Sequence, residues 1–250
     1  MKGIVLAGGL GTRLRPLTLI TNKHLLPVYG RPMISYPIET LRRAGITEIM
    51  IVCGREHVGH FINFLGSGKE SGVKLSYAVQ DKNNAGIADA LSYAEDFSDN
   101  GNIAVILGDN IFEDDFSKPM KTFTGGARIF LKKVRDPKRY GVPVFDRTGK
   151  KIVRIEEKPK KPKSEYAQTG LYFFDSKIFS FIKKLTPSER GELEITDSVN
   201  QYINAGTMEF SVVKGDWHDA GTIESLLQTS VQVSKKESAF FQTHEEKNKF

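Results

Sequence analysis

The strongest constraint on this chain is an alternation in its first half, where short apolar β-branched runs are separated by longer stretches of helical period. Residues 3–6, 49–53, 74–79 and 103–107 read as strands, two of them almost continuously apolar. A run without polar alternation suits a strand covered on both faces, as in a parallel sheet. Between them, residues 32–44, 57–65 and 86–95 read as helices. In the first, Pro32 is placed to open the helix, and Ile34, Ile38 and Leu41 mark one apolar face. Pro37 then sits early in that helix, where it is tolerated or leaves a kink. Strand, helix and strand in repetition predict a doubly wound α/β layer with right-handed crossovers.

From residue 127 the pattern changes. Residues 128–134, 142–145, 152–156 and 166–174 are strand-like and separated by turns. They predict antiparallel structure laid over or extending the first sheet. Helical patterns return at 176–185 and 193–205, a strand follows at 208–214, and a last helix is expected from 223 to about 235. Residues 237–250 carry no clean period and are expected to be loosely held. Pro143 removes a ladder donor, so an edge or a bulge is expected there. The expected fold is α/β, a doubly wound, mostly parallel, Rossmann-like mixed sheet with an antiparallel extension.

Composition narrows the function classes. The chain has 250 residues, enough for a sizeable core. Its opening apolar run stops at Gly8-Gly9, too short for a signal peptide, and no stretch approaches the ~20 residues of a spanning helix. The single Cys53 excludes an internal disulfide and fits a reducing cytoplasm; at the end of an apolar run it reads as an inert buried thiol. The net charge of +6 and pI near 9.2 suit polyanionic ligands. The charge is spread along the chain without interleaved aromatics, which favours phosphorylated small molecules over nucleic acid. Taken alone, it serves solubility equally well. No His/Cys set has metal-ligand spacing, and no nucleophile elbow occurs.

The densest local signal is Leu6-Ala7-Gly8-Gly9-Leu10-Gly11-Thr12-Arg13, a strand running into a glycine turn whose N–H groups can close on an anion. It lacks the Lys-Ser/Thr of a Walker loop, and the third glycine of the dinucleotide fingerprint is replaced by Leu14. Arg13 and Lys23 follow closely, both able to neutralise a triphosphate. Asp109 stands just after the apolar strand 103–107, at a carboxyl end where open α/β sheets bind ligands. Alone, an aspartate there would read as a turn or cap residue.

The run from Gly8 to Thr18, continued by Asn22-Lys23-His24-Leu25-Leu26-Pro27-Val28, resembles the signature of the sugar nucleotidyltransferases. Six further matches follow in that family's order: Leu107-Gly108-Asp109-Asn110-Ile111-Phe112, Arg139-Tyr140-Gly141-Val142, Ile155-Glu156-Glu157-Lys158-Pro159, Thr169-Gly170-Leu171-Tyr172, Arg190-Gly191-Glu192-Leu193-Glu194-Ile195-Thr196-Asp197 and Asp219-Ala220-Gly221-Thr222. They cover residues 1 to about 230 and are most similar to the members that use glucose 1-phosphate and dTTP.

The resemblance implies one catalytic domain over 1–236, with a nucleotide-binding half to about residue 125, a sugar-phosphate-binding half from about 126, and a tail over 237–250. It implies joining of dTTP and glucose 1-phosphate to give dTDP-glucose and pyrophosphate, in nucleotide-sugar and polysaccharide synthesis. Arg13, Lys23, Asp109, Lys158 and Asp219 would be the catalytic set, with Asp109 and Asp219 holding Mg2+, in line with that ion's preference for a few carboxylates plus phosphate oxygens. Leu6, Gly8, Gly9, Gly11, Thr12, Arg13, Gln80, Gly86 and Asp109 would bind the nucleotide, Gln80 reading the pyrimidine edge and Gly86 letting the base lie against backbone. Asn110, Tyr140, Gly141, Glu157, Lys158 and Thr169 would bind the sugar phosphate. Two departures stand out: Gln80-Asp81 where the family commonly has Gln-Pro, and Asp89 where it commonly has glutamine. By analogy the chain is expected to be a homo-oligomer, a dimer or a tetramer. The alternatives are a UTP-using enzyme of the same class, a non-catalytic sugar-nucleotide sensor and, more distantly, a nicotinamide-dependent oxidoreductase. The match fades after residues 222–233, so the second nucleotide-sugar site that longer members build with a C-terminal helical segment is expected to be absent or incomplete.

Overall fold

The computed structural model describes residues 1–82 and 85–245, with side chains as far as Glu237. The chain opens with β1 (Lys2–Ala7), passes three 3-10 turns (Thr12–Leu14, Leu17–Leu19 and Lys23–Leu25), and makes a small ladder of β2 (Pro27–Val28) and β3 (Arg31–Pro32). There follow α1 (Ser35–Arg43), β4 (Glu48–Gly54), α2 (Val58–Leu65) and β5 (Lys74–Gln80). Next come α3 (Ile87–Ser92), α4 (Glu95–Ser98), β6 (Ile103–Leu107), β7 (Asn110–Phe112) and α5 (Ser117–Lys121). The second half contains β8 (Ala127–Lys133), β9 (Gly141–Phe145), β10 (Ile152–Glu157), β11 (Tyr166–Phe174), α6 (Lys177–Ile182) and α7 (Ile195–Asn204). It ends with β12 (Met208–Val212), β13 (Trp217–Asp219) and α8 (Ile223–Glu245).

Seven strands form one mixed α/β sheet in the order β12-β8-β11-β6-β1-β4-β5. β6, β1, β4 and β5 run parallel, β11 runs antiparallel to both β6 and β8, and β12 is parallel to β8. The second half therefore extends the first sheet. The continuous apolar runs are explained by two buried faces. Ile4, Ile103 and Val105 enter one core with Leu91, Phe179 and Val199, while Val5, Ala104 and Ile106 enter another with Ile38, Leu41 and Phe61.

The winding positions the site. From β1 the chain moves outward to β4 and β5, then crosses back to lay β6 on the other side of β1. At the carboxyl ends Leu6 pairs with Leu107, and the Gly108 N–H donates to the Leu6 carbonyl at 2.9 Å. A reversal of winding opens a crevice outside the sheet, where such folds take ligands. Among the described residues no helix is long and apolar enough to cross a membrane.

Two local expectations change, and a third, for Pro143, is met. Pro32 does not open α1: it pairs with Pro27, and the Met33 and Ile34 N–H groups are held by the Leu26 and His24 carbonyls, so the helix starts at Ser35. That leaves Pro37 in the first turn, where its missing N–H is no loss. The last helix runs to Glu245 instead of stopping near residue 235, because no glycine or proline interrupts it. Lys236 meets Glu113 and Asp216, and Glu237 meets Arg31 at 2.5 Å, beyond the expected end. Exposed pairs of this kind contribute roughly 0–1 kcal/mol, so the apolar seat of Leu226 against Leu14, Leu26 and Ile111 anchors the helix more strongly. Pro143 sits opposite Ile155 in the two-stranded β9–β10 ladder. The Ile155 N–H and carbonyl both go to the Asn200 side chain, at 2.8 and 3.0 Å, so the pair needs no donor from Pro143.

The two halves are stitched at Gly86. Leu193 N–H donates to the Ala85 carbonyl at 2.8 Å, and Ala88 N–H donates to the Leu193 carbonyl at 3.1 Å. Gly86 has φ 98° and ψ 170°, a region open essentially to glycine alone, and a Cβ there would stand 2.7 Å from the Leu193 nitrogen. Close approach of this backbone, from the opposite half, accounts for the glycine. Gly86→Ala should therefore lose about 3 kcal/mol from strain and crowding together. Gly59→Ala, whose Cβ would meet open space on α2, should gain about 0.5 kcal/mol. Urea denaturation of both checks this; equal stabilities would contradict the stitched joint.

Candidate active site

All of the residues given a catalytic or binding role from the sequence, except Gly11 and Thr12, line one cavity of about 340 Å³: Leu6, Gly8, Gly9, Arg13, Lys23, Gln80, Gly86, Asp109, Asn110, Tyr140, Gly141, Glu157, Lys158, Thr169 and Asp219. Gly11 and Thr12 are outside its lining; the Gly11 carbonyl accepts from Thr18 Oγ1 at 2.8 Å and Thr12 is exposed. A larger hollow of about 620 Å³ lies over β12 beside Lys118, Arg128, Lys150 and Lys151, and none of the sequence motifs reaches it.

The acidic centre depends on a ladder only three residues long. β13 pairs antiparallel with β7, setting Asp219 opposite Asn110 and thus beside Asp109. The two carboxylates converge where Gly221 lacks a side chain: a Cβ there would lie 2.8 Å from Asp219 Oδ1, 3.1 Å from Arg13 Nη2 and 3.4 Å from Asp109 Oδ2. Lys23 Nζ donates to Asp109 Oδ2 at 2.5 Å, and Asn110 Nδ2 donates to Asp109 Oδ1 at 2.9 Å. Burial alone pushes the Asp109 carboxyl up, but the Lys23 charge and these hydrogen bonds reverse that and hold it well below the usual range. Asp219 is pushed up, first by burial and then by the Asp109 charge. His24 is a support: it is buried, its Nδ1 lies 2.8 Å from Asn22 Oδ1, and burial followed by the Lys23 charge lowers its pKa to about 3, so its ring is neutral.

Among the described residues no group of three or more His, Cys, Asp or Glu side chains is arranged to hold a metal ion. A divalent ion here would have the two carboxylates of Asp109 and Asp219 as its protein ligands and would need other donors to complete its shell. Oxygen donors in that number fit magnesium, which keeps waters and phosphate oxygens as its other ligands, and do not fit a closed zinc site.

At the end of the cavity expected to take the sugar phosphate, Lys158 has φ 42°, a left-handed conformation costing a non-glycine residue roughly 1–2 kcal/mol. Its N–H donates to the Tyr140 carbonyl at 3.0 Å and its Nζ stands 3.5 Å from Glu157 Oε1. Glu157 Oε2 accepts from Thr196 Oγ1 at 2.6 Å. Asn110 is largely committed to the protein, its amide oxygen accepting from Gly170 N–H at 2.9 Å and Trp217 Nε1 at 2.7 Å. The Thr169 hydroxyl donates to the Phe130 carbonyl at 2.9 Å.

Sequence reasoning gave no site role to Trp217 and Gln168, nor to Tyr172, Glu194 and Thr196 within their motifs, and all five line the cavity. Trp217 packs against Tyr140 with ring centroids 5.2 Å apart. It is the sole tryptophan and stands two residues before Asp219, so strand alternation would have put both on one face. Gln168 is buried, and its Oε1 has no partner among the described residues.

The model of the nucleotidyl transferase family matches residues 2–236. A Neisseria gonorrhoeae relative named glucose-1-phosphate thymidylyltransferase is 46% identical over 232 residues, covering 90% of this chain and 80% of that one. A crystal structure of a Bacillus anthracis protein in complex with sucrose, provisionally described as a glucose-1-phosphate thymidylyltransferase, is 51% identical with a TM-score of 0.88, covering 93% of this chain and 94% of that one. A UDP-glucose pyrophosphorylase complexed with UDP-glucose, at 24% identity, has a TM-score of 0.83, covers 94% of this chain and 98% of that one, and shares the fold alone. Since the matched span takes in the whole sheet and every motif that lines the cavity, the chain belongs to the nucleotidyl transferase family.

Proposed function

We propose that this protein joins dTTP and glucose 1-phosphate to give dTDP-glucose and pyrophosphate, with magnesium assisting. The observation that carries the reading is the convergence of Asp109, Asp219 and Arg13 on one point beside the glycine turn, in a cavity that also holds Lys158. In the reaction a phosphate oxygen of glucose 1-phosphate bonds to the α-phosphorus, and the bond from that phosphorus to the oxygen bridging to the β-phosphate breaks. The nucleophile is already an anion, so the protein's work is alignment and cancellation of charge. The turn at Gly8-Gly9 and Arg13 receive the triphosphate, Gln80 meets the base, and Lys158 holds the sugar phosphate in line. Asp109 and Asp219 would hold magnesium, which would supply neutralising charge to the crowded phosphate oxygens. Trp217 and Tyr140 wall the hexose. A non-catalytic sensor on this fold would have no need to keep Arg13, Lys23, Asp109, Lys158 and Asp219 together in one cavity. A cytoplasmic, homo-oligomeric protein belongs to the same proposal; Cys53, whose thiol burial pushes up to about 11, is protonated and inert.

A pyrophosphate-release assay across nucleoside triphosphates and hexose 1-phosphates tests the assignment. We expect dTTP to react best with glucose 1-phosphate and UTP to follow within about tenfold, because a single methyl is worth ~1 kcal/mol in a pocket. ATP and GTP should react poorly. A purine as best substrate would overturn the thymidylyl assignment.

Lys158→Ala should raise KM for glucose 1-phosphate by about 10- to 100-fold, the cost of one charge-assisted contact, with little change for dTTP. Arg13→Ala should do the reverse or mainly lower kcat. Separate titrations of the two substrates check this, and equal losses for both substrates in both variants would show that the cavity is divided differently.

A further inference from the structure

Asp89 lies in the first turn of α3, and its Oδ2 accepts a hydrogen bond from Gln80 Nε2 at 2.8 Å. Gln80 closes β5 and is only 6% exposed, and its amide oxygen stands over the glycine turn, 2.7 Å from where a Gly8 Cβ would be. The Asp89 end is held by the core: its neighbours Ala88 and Leu91 are fully buried, and Ser92 Oγ donates to the Asp89 carbonyl at 2.6 Å. An ionised carboxylate accepts hydrogen bonds and donates none, so the amide facing it must present its NH2. A flipped amide would set oxygen against oxygen and forfeit a charge-assisted bond. Gln80 therefore offers the cavity a fixed edge, with its oxygen as acceptor and its second N–H as donor.

We propose that Asp89 is a positioning residue for base selection, locking the Gln80 amide so that the site takes a pyrimidine with a ring N–H and refuses cytosine. The inference rests on the nucleotide-transfer reading above, and within it on Gln80 facing the base. Thymine and uracil present a ring N–H beside a carbonyl, the complement of the fixed edge. Cytosine presents a bare ring nitrogen beside an amino group, and in the same seat it matches only the flipped amide. With a neutral amide at position 89, either orientation of Gln80 finds a partner and the lock is lost.

The test is calorimetric binding of dTTP and dCTP, with magnesium and without sugar phosphate, to the wild type and to the Asp89→Asn and Asp89→Gln variants. The wild type should bind dTTP at least 100-fold more tightly than dCTP. That ratio should fall at least tenfold in both variants, chiefly through tighter dCTP binding, while glucose 1-phosphate kinetics stay within about twofold. Asp89→Gln serves if Asp89→Asn proves unfolded by its Tm. An unchanged ratio, or equal weakening of both nucleotides, overturns the proposal. Because binding is read without turnover, a chain that selects dTTP through Asp89 but releases no pyrophosphate would refute the transfer reading and leave this one standing.

Discussion

The Asp109 carboxylate is buried, and the surrounding structure is organised to compensate it. A buried charge stripped of its partner costs about 3–5 kcal/mol, far more than any exposed ion pair contributes. Lys23 meets one oxygen and Asn110 the other. Lys23 is delivered by a 3-10 turn capped by Asn22, whose Oδ1 accepts from the His24 N–H at 2.9 Å, and His24 in turn fills the space beside Gly108. The segment from Asn22 to Leu25 thus has a physical reason for each residue up to His24: cap, counter-charge and filler. Asn110 carries the constraint onward, since its amide oxygen fixes Gly170 on β11 and Trp217 on β13. The same ladder that places Trp217 brings Asp219 to Asp109. The repulsion between the two carboxylates is offset in part by the charges of Lys23 and Arg13.

Much of the first half was legible in the sequence, and the reason is burial on both faces. Ile103 to Ile106 are fully buried, so continuous apolar character marked the strand without ambiguity. β7 and β13 were not legible: each has three residues and they mix polar with apolar. Their pairing also spans more than a hundred residues, which no local period records. Pro32 misled because a proline opens short ladders as readily as helices. The far end of α8 carries no clean apolar period, yet the absence of glycine and proline let the helix continue past its apolar seat.

The site divides in the same way. Residues fixed by the chain's own local geometry, such as Gly8, Arg13 and Asp109, could be named from motifs. Gln168 belongs to no motif, and Tyr172 and Thr196 stood in motifs without a legible role, because they reach the cavity through an irregularity between Gln168 and Tyr172 in the β11–β8 pairing and through the docking of α7 on β10. Gly86 shows a further limit. Its glycine character was legible and its reason was not, since the crowding backbone of Leu193 comes from the other half. Asp89 stood out only as a departure from a resemblance; its hydrogen bond to Gln80 gives that departure a chemical meaning.

The dependence of the whole site on two carboxylates acting as one unit can be measured directly. Manganese binding followed by electron paramagnetic resonance, with saturating dTTP and no sugar phosphate, reads the proposed magnesium site without requiring turnover. One ion per chain should bind the wild type, and Asp109→Asn and Asp219→Asn should each weaken it at least tenfold. The double variant should lose little more, because partners in one site are not additive. Unchanged affinity in either single variant, or losses that add in full, would contradict a shared centre at the β7–β13 ladder.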